Sequence, residues 1–520
     1  MQAFFVFIAV TVAAAIAFVA GLVVIIPFVY PLVDRQLLAA ALFTVVVAGH
    51  WRAWAKPSWW ILAPLLVGFL LLPIMTVTAG FGEFDLLAAA HHIQFGMMGA
   101  DMGIVIRALK PLVGAILIYV LCLYWIANLL RMPQRIYFFG AVLIATINPL
   151  SINVMNMVLT PRVENDLTTR VHKPVDSSPD VPADVLLIYI EGLDREFANE
   201  TKYGDIYAGL ESLRPTAIEF TQVKQVYGTS WSLAGIVASH CGLPLLPNGL
   251  RNMYKWDNQQ QFLGDHDCLS DVLQNNGYQT AYVMGGVIEF GGIDMFLRAH
   301  GYDQILGRDQ LRLLYGQETI DRAWAVRRLD DEMTLDTAMN VYRDMAAEPD
   351  PMLLTILTYG PHGKSGTMSR NCSVDGQAYE TENIRATVRC NIENVRAFLS
   401  EWEELRRDRP ALVVVMSDHL NHLWLQESEK AHEHRSNSFF VMGYDMPDVP
   451  RGVTNNRSGS MLDVYPTILS LLGMIQDGRA GLGVSLVGEA PTLLEEKGYY
   501  RVNRELNRNY ELQQLIWGSD

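Results

Sequence analysis

Five stretches without a charged residue fill the first third of the chain: Ala3 to Val33, Gln36 to Trp51, Pro57 to Gly82, Pro111 to Leu130 and Ile136 to Pro161. A helix needs roughly 20 apolar residues to cross a bilayer, so the pattern predicts a helical membrane domain of about five spans over residues 1–161. Gln36 to Trp51 is short for a span and reads equally as a re-entrant or interfacial segment. The first stretch is too long for a signal-peptide core and carries no basic leader, so it is expected to remain as an anchor.

The charges divide the chain at the same place. Up to Thr160 there are seven basic and four acidic side chains, whereas the remaining 360 residues hold 33 basic and 51 acidic ones. An acidic surface of that size excludes nucleic acid as a partner, because phosphate backbones demand a basic face. It is also long enough for one large α/β domain. The short connectors bearing Arg52 with Lys56 and Arg131 with Arg135 are expected on the cytoplasmic side. With five spans, everything after Thr160 is then exterior, as is the acidic loop carrying Glu83, Asp85 and Asp101. Cys122 lies within a span. Cys241, Cys268, Cys372 and Cys390 form an even exterior set, and proximity in sequence pairs Cys241 with Cys268 and Cys372 with Cys390. Four reduced buried thiols are the alternative; a zinc site is disfavoured because no C-x-x-C spacing occurs.

Residues 162–184 are polar and proline-bearing without periodicity, which predicts a tether, and the exterior domain is read as 185–520. Three near-continuous apolar runs follow: VLLIYI (Val185 to Ile190), MLLTIL (Met352 to Leu357) and ALVVVM (Ala411 to Met416). Such runs predict central parallel strands covered on both faces. Helical spacing recurs between them, for instance over Cys268 to Gly277 and Thr381 to Trp402, so the domain is expected to be α/β.

Ligand sites in open α/β sheets lie beyond the carboxyl ends of the strands. The first run ends in Glu191, the second leads through Thr358-Tyr359-Gly360-Pro361 to His362, and the third leads to Asp418-His419. Carboxylates with an imidazole suit a divalent cation such as Mn2+, Mg2+ or Zn2+. Taken alone, an Asp-His pair after a strand is more often a capping feature; three such strand ends together are harder to explain that way. In YGTSWSLAGIVASHCGLP (Tyr227 to Pro244), Thr229 and Ser230 precede apolar residues at helical spacing. A hydroxyl there either caps a helix or, beside a cation, becomes a nucleophile toward a phosphorus held at the helix N-terminus.

These features in this order resemble the alkaline phosphatase and sulfatase superfamily. Within it they are similar to the membrane-anchored lipoteichoic acid synthase and phosphoglycerol transferase branch, which includes enzymes that decorate periplasmic glucans. The resemblance rests on GTSWSLAGIVASHCGLPLL (Gly228 to Leu246), Cys268 to Asp303, VVVMSDHL (Val413 to Leu420) and LDVYPTILSLLG (Leu462 to Gly473). It implies a mixed sheet flanked by helices, in a multi-pass protein of the bacterial inner membrane whose catalytic domain is periplasmic. It further implies that Glu191, Thr229, Asp418 and His419 hold one divalent metal, Mn2+ before Mg2+ or Zn2+, with Thr229 the nucleophile. His362 would then be a catalytic and substrate-side histidine, and Arg435 a substrate-binding or structural residue. The donor implied is phosphatidylglycerol and the acceptor a periplasmic glucan or other glycan. Phosphoethanolamine transfer and an inactive membrane-anchored receptor are the alternatives. Sulfate-ester hydrolysis is disfavoured, since Cys241-Gly242-Leu243-Pro244 does not fit the C/S-x-P-x-R setting that chemistry uses. Two departures stand out: Gly192 follows Glu191 where the family commonly has Ser, and the family's acidic-Trp-Gly stretch is absent, with Trp324, Arg327 and Arg328 in the corresponding region. The remaining histidines, among them His240, His422, His432 and His434, are expected to be solvated or hydrogen-bonded.

Overall fold

The computed structural model describes residues 166–174, 179, 181–246, 262–325, 328–362, 366–421, 433–507 and 509–518, together with 142, 146 and 151. The five expected spans lie outside this set; among the described residues no helix is long and apolar enough to cross a membrane.

An eight-stranded sheet forms the centre of the exterior domain. Its strands are β1 (Asp184–Ile190), β2 (Ile218–Phe220), β3 (Gln279–Met284), β4 (Gln304–Leu306), β5 (Met352–Thr358), β6 (Ala411–Ser417), β7 (Phe439–Tyr444) and β8 (Val453–Asn455), in the spatial order β8-β2-β7-β6-β1-β5-β3-β4. β1 lies between β6 and β5, parallel to both, with Leu187 opposite Val414 and Thr355. Only β7 runs against its neighbours, so the sheet is mixed. Every residue of β1, β5 and β6 is buried, which is why these strands lack polar alternation: each pleat face meets a helical layer.

On one face Leu187, Tyr189, Val414 and Met416 pack under α1 (Ser232–Cys241), α2 (Leu269–Asn275), α3 (Ile293–Ala299) and α6 (Val464–Leu471). On the other, Leu186, Ile188, Val413 and Val415 pack against α4 (Asp331–Ala346) and α5 (Ile384–Leu405). Each of those two longer helices starts at a capping side chain: Asp330 Oδ1 accepts from Met333 N at 2.9 Å, and Asn383 Oδ1 from Ala386 N at 3.2 Å. Both disulfides expected from sequence are present, Cys241–Cys268 tying α1 to the start of α2 and Cys372–Cys390 tying a 3-10 turn to α5.

Part of the expected tether is docked on the domain. Leu167 is fully buried, His172 exchanges backbone hydrogen bonds with Gly481, and Arg170 pairs with Glu496 at 2.6 Å. Leu167 belongs to a short row of apolar residues, Val163, Leu167, Val171 and Val175, spaced four apart in an otherwise polar segment.

Candidate metal centre and active site

The carboxyl ends of β1, β5 and β6 converge, as the rule for open sheets requires. Glu191, the residue after β1, and Asp418-His419, the residues after β6, are all buried, and one ligand atom of each lies within 4.8 Å of the others. His419 Nε2 stands 3.1 Å from Glu191 Oε1 and 3.4 Å from Asp418 Oδ2. The ring is turned by its other nitrogen, which donates to Leu420 O at 2.8 Å, so Nε2 faces the carboxylates. Asp418 Oδ1 is committed to the backbone amides of Gly192 and His419 at 2.9 and 2.8 Å. Its Oδ2 is buried and makes no hydrogen bond of good geometry among the described residues.

Electrostatics agree with a cation site. Burial, together with the charge of Glu191, pushes the Asp418 carboxyl up, because two carboxylates in a dry pocket cannot both stay ionised cheaply. Burial opposes the charged form of His419, but the charges of Asp418 and Glu191 outweigh it and push the imidazole up. Two hard oxygen donors, one nitrogen donor and an orphaned buried oxygen fit a divalent ion.

The backbone around the cluster is built for close approach. Gly192 sits at φ +56°, in the left-handed region glycine tolerates, where the chain turns after Glu191. Gly235, on the first turn of α1, is the tighter case: a Cβ there would lie 1.7 Å from the carbonyl oxygen of Asp418. Only a bare backbone lets the helix lie against the metal-site loop. That contact brings Ser232 Oγ to 3.3 Å from Glu191 Oε2 and 3.4 Å from His419 Nε2.

Thr229 is fully buried three residues before α1. Its hydroxyl donates to Val226 O at 2.8 Å and accepts from Val226 N at 3.1 Å. Thus Thr229 lies on the same helix approach but makes no hydrogen bond to the three acidic and imidazole groups among the described residues, whereas Ser232 does. Ser232 stands three residues beyond Thr229, on the first residue of α1.

His362 stands at the rim, its Nε2 3.8 Å from Glu191 Oε1 and its side chain 41% exposed. The loop that carries it is pinned by Asp331 at the head of α4, whose oxygens accept from Tyr359 N and Gly360 N at 2.6 Å each. Arg328, in the region where the acidic-Trp-Gly stretch is absent, places its guanidinium 5.2 Å from the centre of the Tyr359 ring. Trp324 is flanked by Arg308 and Arg312 at 5.6 and 5.2 Å. Arg435 is buried and bridges two site loops: its Nε donates to Asp194 Oδ2 at 2.7 Å and its Nη2 to Asn421 O at 2.6 Å. This is the structural use of Arg435 that the sequence left open beside a substrate role.

A second group, Cys268, Asp271 and His300, also has metal-like proximity. It is closed to a cation, because the Cys268 sulfur is in a disulfide and His300 is bonded on both nitrogens, to Asp271 and to Phe262 O. His240 is hydrogen-bonded as expected, to Tyr189 and Tyr302, and His434 is exposed; His422 and His432 lie outside the described residues.

A mixed sheet with an acidic and imidazole cluster at its strand ends and a hydroxyl-bearing helix start defines a hydrolase or transferase core of the alkaline phosphatase and sulfatase type. The sulfatase family profile matches residues 184–474, and the chain belongs to that family. It is similar to phosphoglycerol transferase I of Escherichia fergusonii, 27% identical over 471 residues that are 86% of this chain and 60% of the relative. The Salmonella typhi protein of the same name is 26% identical over 486 residues, 89% and 62% of the two chains. The chain therefore spans about 60% of the length of the curated relatives it matches. Among solved structures, an alkaline phosphatase superfamily protein from Vibrio parahaemolyticus aligns over 66% of this chain and 80% of its own, with TM-score 0.47 and 17% identity. The lipoteichoic acid synthase LtaP from Listeria monocytogenes aligns over 62% and 80%, with TM-score 0.44 and 17% identity.

Proposed function

We propose that the protein is a phosphoglycerol transferase that moves glycerol phosphate from phosphatidylglycerol to a periplasmic glucan or related glycan. The observation that supports this most is the convergence of Glu191, Asp418 and His419 on one buried point beside the helix start that carries Thr229 and Ser232, in a chain similar to phosphoglycerol transferase I over most of its length. In this reading residues 1–161 form the membrane domain of about five spans, 162–184 the tether and 185–520 the periplasmic catalytic domain. The protein then sits in the bacterial inner membrane, where a lipid donor is at hand.

Glu191, Asp418, His419 and Thr229 would hold one divalent ion, Mn2+ before Mg2+ or Zn2+, which would supply charge neutralisation at the phosphoryl oxygens and lower the pKa of a hydroxyl. Thr229 leaves its hydrogen bonds with Val226 and gives its hydroxyl proton to solvent, and its Oγ1 attacks phosphorus in line. The Oγ1–P bond forms, the bond from phosphorus to the diacylglycerol oxygen breaks, and His362 delivers a proton to that departing oxygen. In the second half-reaction an acceptor hydroxyl attacks the phosphothreonine and yields its proton to His362, and the Thr229 oxygen leaves and takes up a proton from solvent. His362 is half-exposed at the rim, where an imidazole exchanges protons with substrate near neutral pH. Arg328 lies over the ring of Tyr359, which is close to His362 in sequence, and Arg435 holds Asp194 and Asn421.

The test is incubation of the full chain with phosphatidylglycerol or phosphatidylethanolamine labelled in the head group. Diacylglycerol release from phosphatidylglycerol, with label trapped on protein in the absence of acceptor, is expected. Release from phosphatidylethanolamine instead would make the protein a phosphoethanolamine transferase, and release from neither, with no bound divalent ion, an inactive receptor.

A further inference from the structure

A polar cavity of about 430 Å3 is lined by the short strand Val223–Lys224, by Glu433 and His434, and by the start of the helix Tyr499–Leu506. That volume falls within the range of small-molecule pockets, roughly 300–1,000 Å3. Lys224 is the feature that needs an explanation. It is buried, and among the described residues its ammonium makes a single hydrogen bond, to Ser436 Oγ at 3.0 Å. An ammonium has three donors; the charges of Asp194 and Glu433 favour it, and the donors not used by Ser436 need oxygen acceptors, which water or a ligand in the cavity can supply.

The rest of the lining says what kind of ligand. Glu433, whose Oε2 accepts from the Tyr500 hydroxyl at 2.6 Å, lines the cavity with Lys224, and Gln222, His434 and Ser458 add donors and acceptors. The Lys224 charge is opposed by those of Asp194 and Glu433, so the cavity holds no unopposed cation. A phosphate or carboxylate ligand would meet Glu433 as a like charge, whereas binding of anions draws on unopposed Arg or Lys. Tyr499 contributes a half-buried aromatic ring to the same wall. A ring face plus a mixed ring of donors and acceptors suits a neutral, polyhydroxylated ligand, whose C–H faces stack and whose hydroxyls both donate and accept.

The cavity is coupled to the metal centre by short hydrogen-bonded steps. Gln225, next to Lys224, accepts from Leu420 N at 2.9 Å, immediately after His419. Ser436, the partner of Lys224, follows Arg435, which donates to Asn421 O. The chain then passes from Lys224 through Val226, which holds Thr229. We infer that the cavity framed by Lys224, Glu433 and Tyr499 is a carbohydrate subsite that seats the neutral glycan acceptor, an assignment that rests on the transferase reading given above.

The full chain in detergent, observed by saturation-transfer NMR with a neutral glucose oligosaccharide and separately with inorganic phosphate, tests this. The oligosaccharide is expected to bind, with its signal weakened about tenfold in affinity in Lys224→Met and in Tyr499→Ala, and phosphate is expected not to displace it. In transfer assays the same variants should raise the acceptor KM by a similar factor, with the loss falling on KM rather than kcat. Gln222→Ala, at the partly exposed rim, gives a third variant should either of the others lower the thermal midpoint. Undiminished oligosaccharide binding in correctly folded variants, or a cavity that takes phosphate in place of the sugar, would overturn the assignment. NMR binding does not need turnover, so absence of diacylglycerol release from any lipid removes the transferase reading without deciding the subsite.

Discussion

The Ser232 hydroxyl lies 3.3 Å from Glu191 Oε2, on the first residue of α1, while the Thr229 hydroxyl three residues earlier is closed into its own turn. Two hydroxyls therefore compete for the nucleophile's place. With Thr229 as nucleophile, Thr229→Ala should abolish transfer and protein labelling, with divalent ion still bound. Ser232→Ala removes one hydrogen bond to a ligand carboxylate and should cost about 10–100-fold, the usual scale for such support. Peptide mapping of the trapped label decides: an adduct on Ser232 would exchange the two roles.

Asp418 brings the orphaned oxygen of the cluster, so it is the residue through which metal dependence is most sharply tested. Asp418→Asn keeps the shape and the bonds that Oδ1 accepts from Gly192 and His419, but removes the charge. Elemental analysis should find about one divalent ion per wild-type chain and clearly less in the variant, at similar circular dichroism. Equal metal content in both would remove Asp418 from the ligand set.

Gly235→Ala places a Cβ where the Asp418 carbonyl oxygen stands, 1.7 Å away. Neither backbone can yield locally, because Asp418 follows a central strand and α1 packs into the core. Overpacking of this kind costs about 1–3 kcal/mol or more. The expected result is a lowered thermal midpoint together with lost transfer, since displacing α1 carries Thr229 and Ser232 away from the cluster. A variant with unchanged stability would show that the helix can slide.

How far these features could be read in the chain beforehand depends on whether the signal is local. β1, β5 and β6 are legible because strands buried on both faces write themselves as apolar runs, and α5 because 22 residues carry many helical repeats. The three-residue strands β2, β4 and β8, at or next to the sheet's edges, have no such length. Glu191, Asp418 and His419 could be picked out because each directly follows a legible strand. The Arg435–Asp194 pair joins residues 241 apart in sequence, and the approach of Ser232 to Glu191 depends on how α1 is rotated; neither leaves a mark in a local window.

His240, on α1, is fully buried and hydrogen-bonded to Tyr189 and Tyr302. Burial pushes its imidazole down to about 3, against about 6.5 in an unfolded chain. The sign follows: below pH 6.5 the unfolded chain takes up a proton that the folded one refuses, so stability is lost as pH falls toward 3. Between pH 7 and pH 5 this single group should remove about 2 kcal/mol of folding free energy. Buried Asp330 and Asp463, pushed up by burial to about 7 and about 6, act in the opposite direction, gaining stability as pH falls through those values. They are common to wild type and variant and cancel in a difference. His240→Gln keeps a neutral hydrogen-bonding side chain that does not titrate, so urea unfolding followed by tryptophan fluorescence should show wild type losing about 2 kcal/mol more than the variant between pH 7 and pH 5. Equal losses in the two proteins would mean that His240 is protonated in the folded state at pH 5 and that its place beside Tyr189 and Tyr302 tolerates the charge.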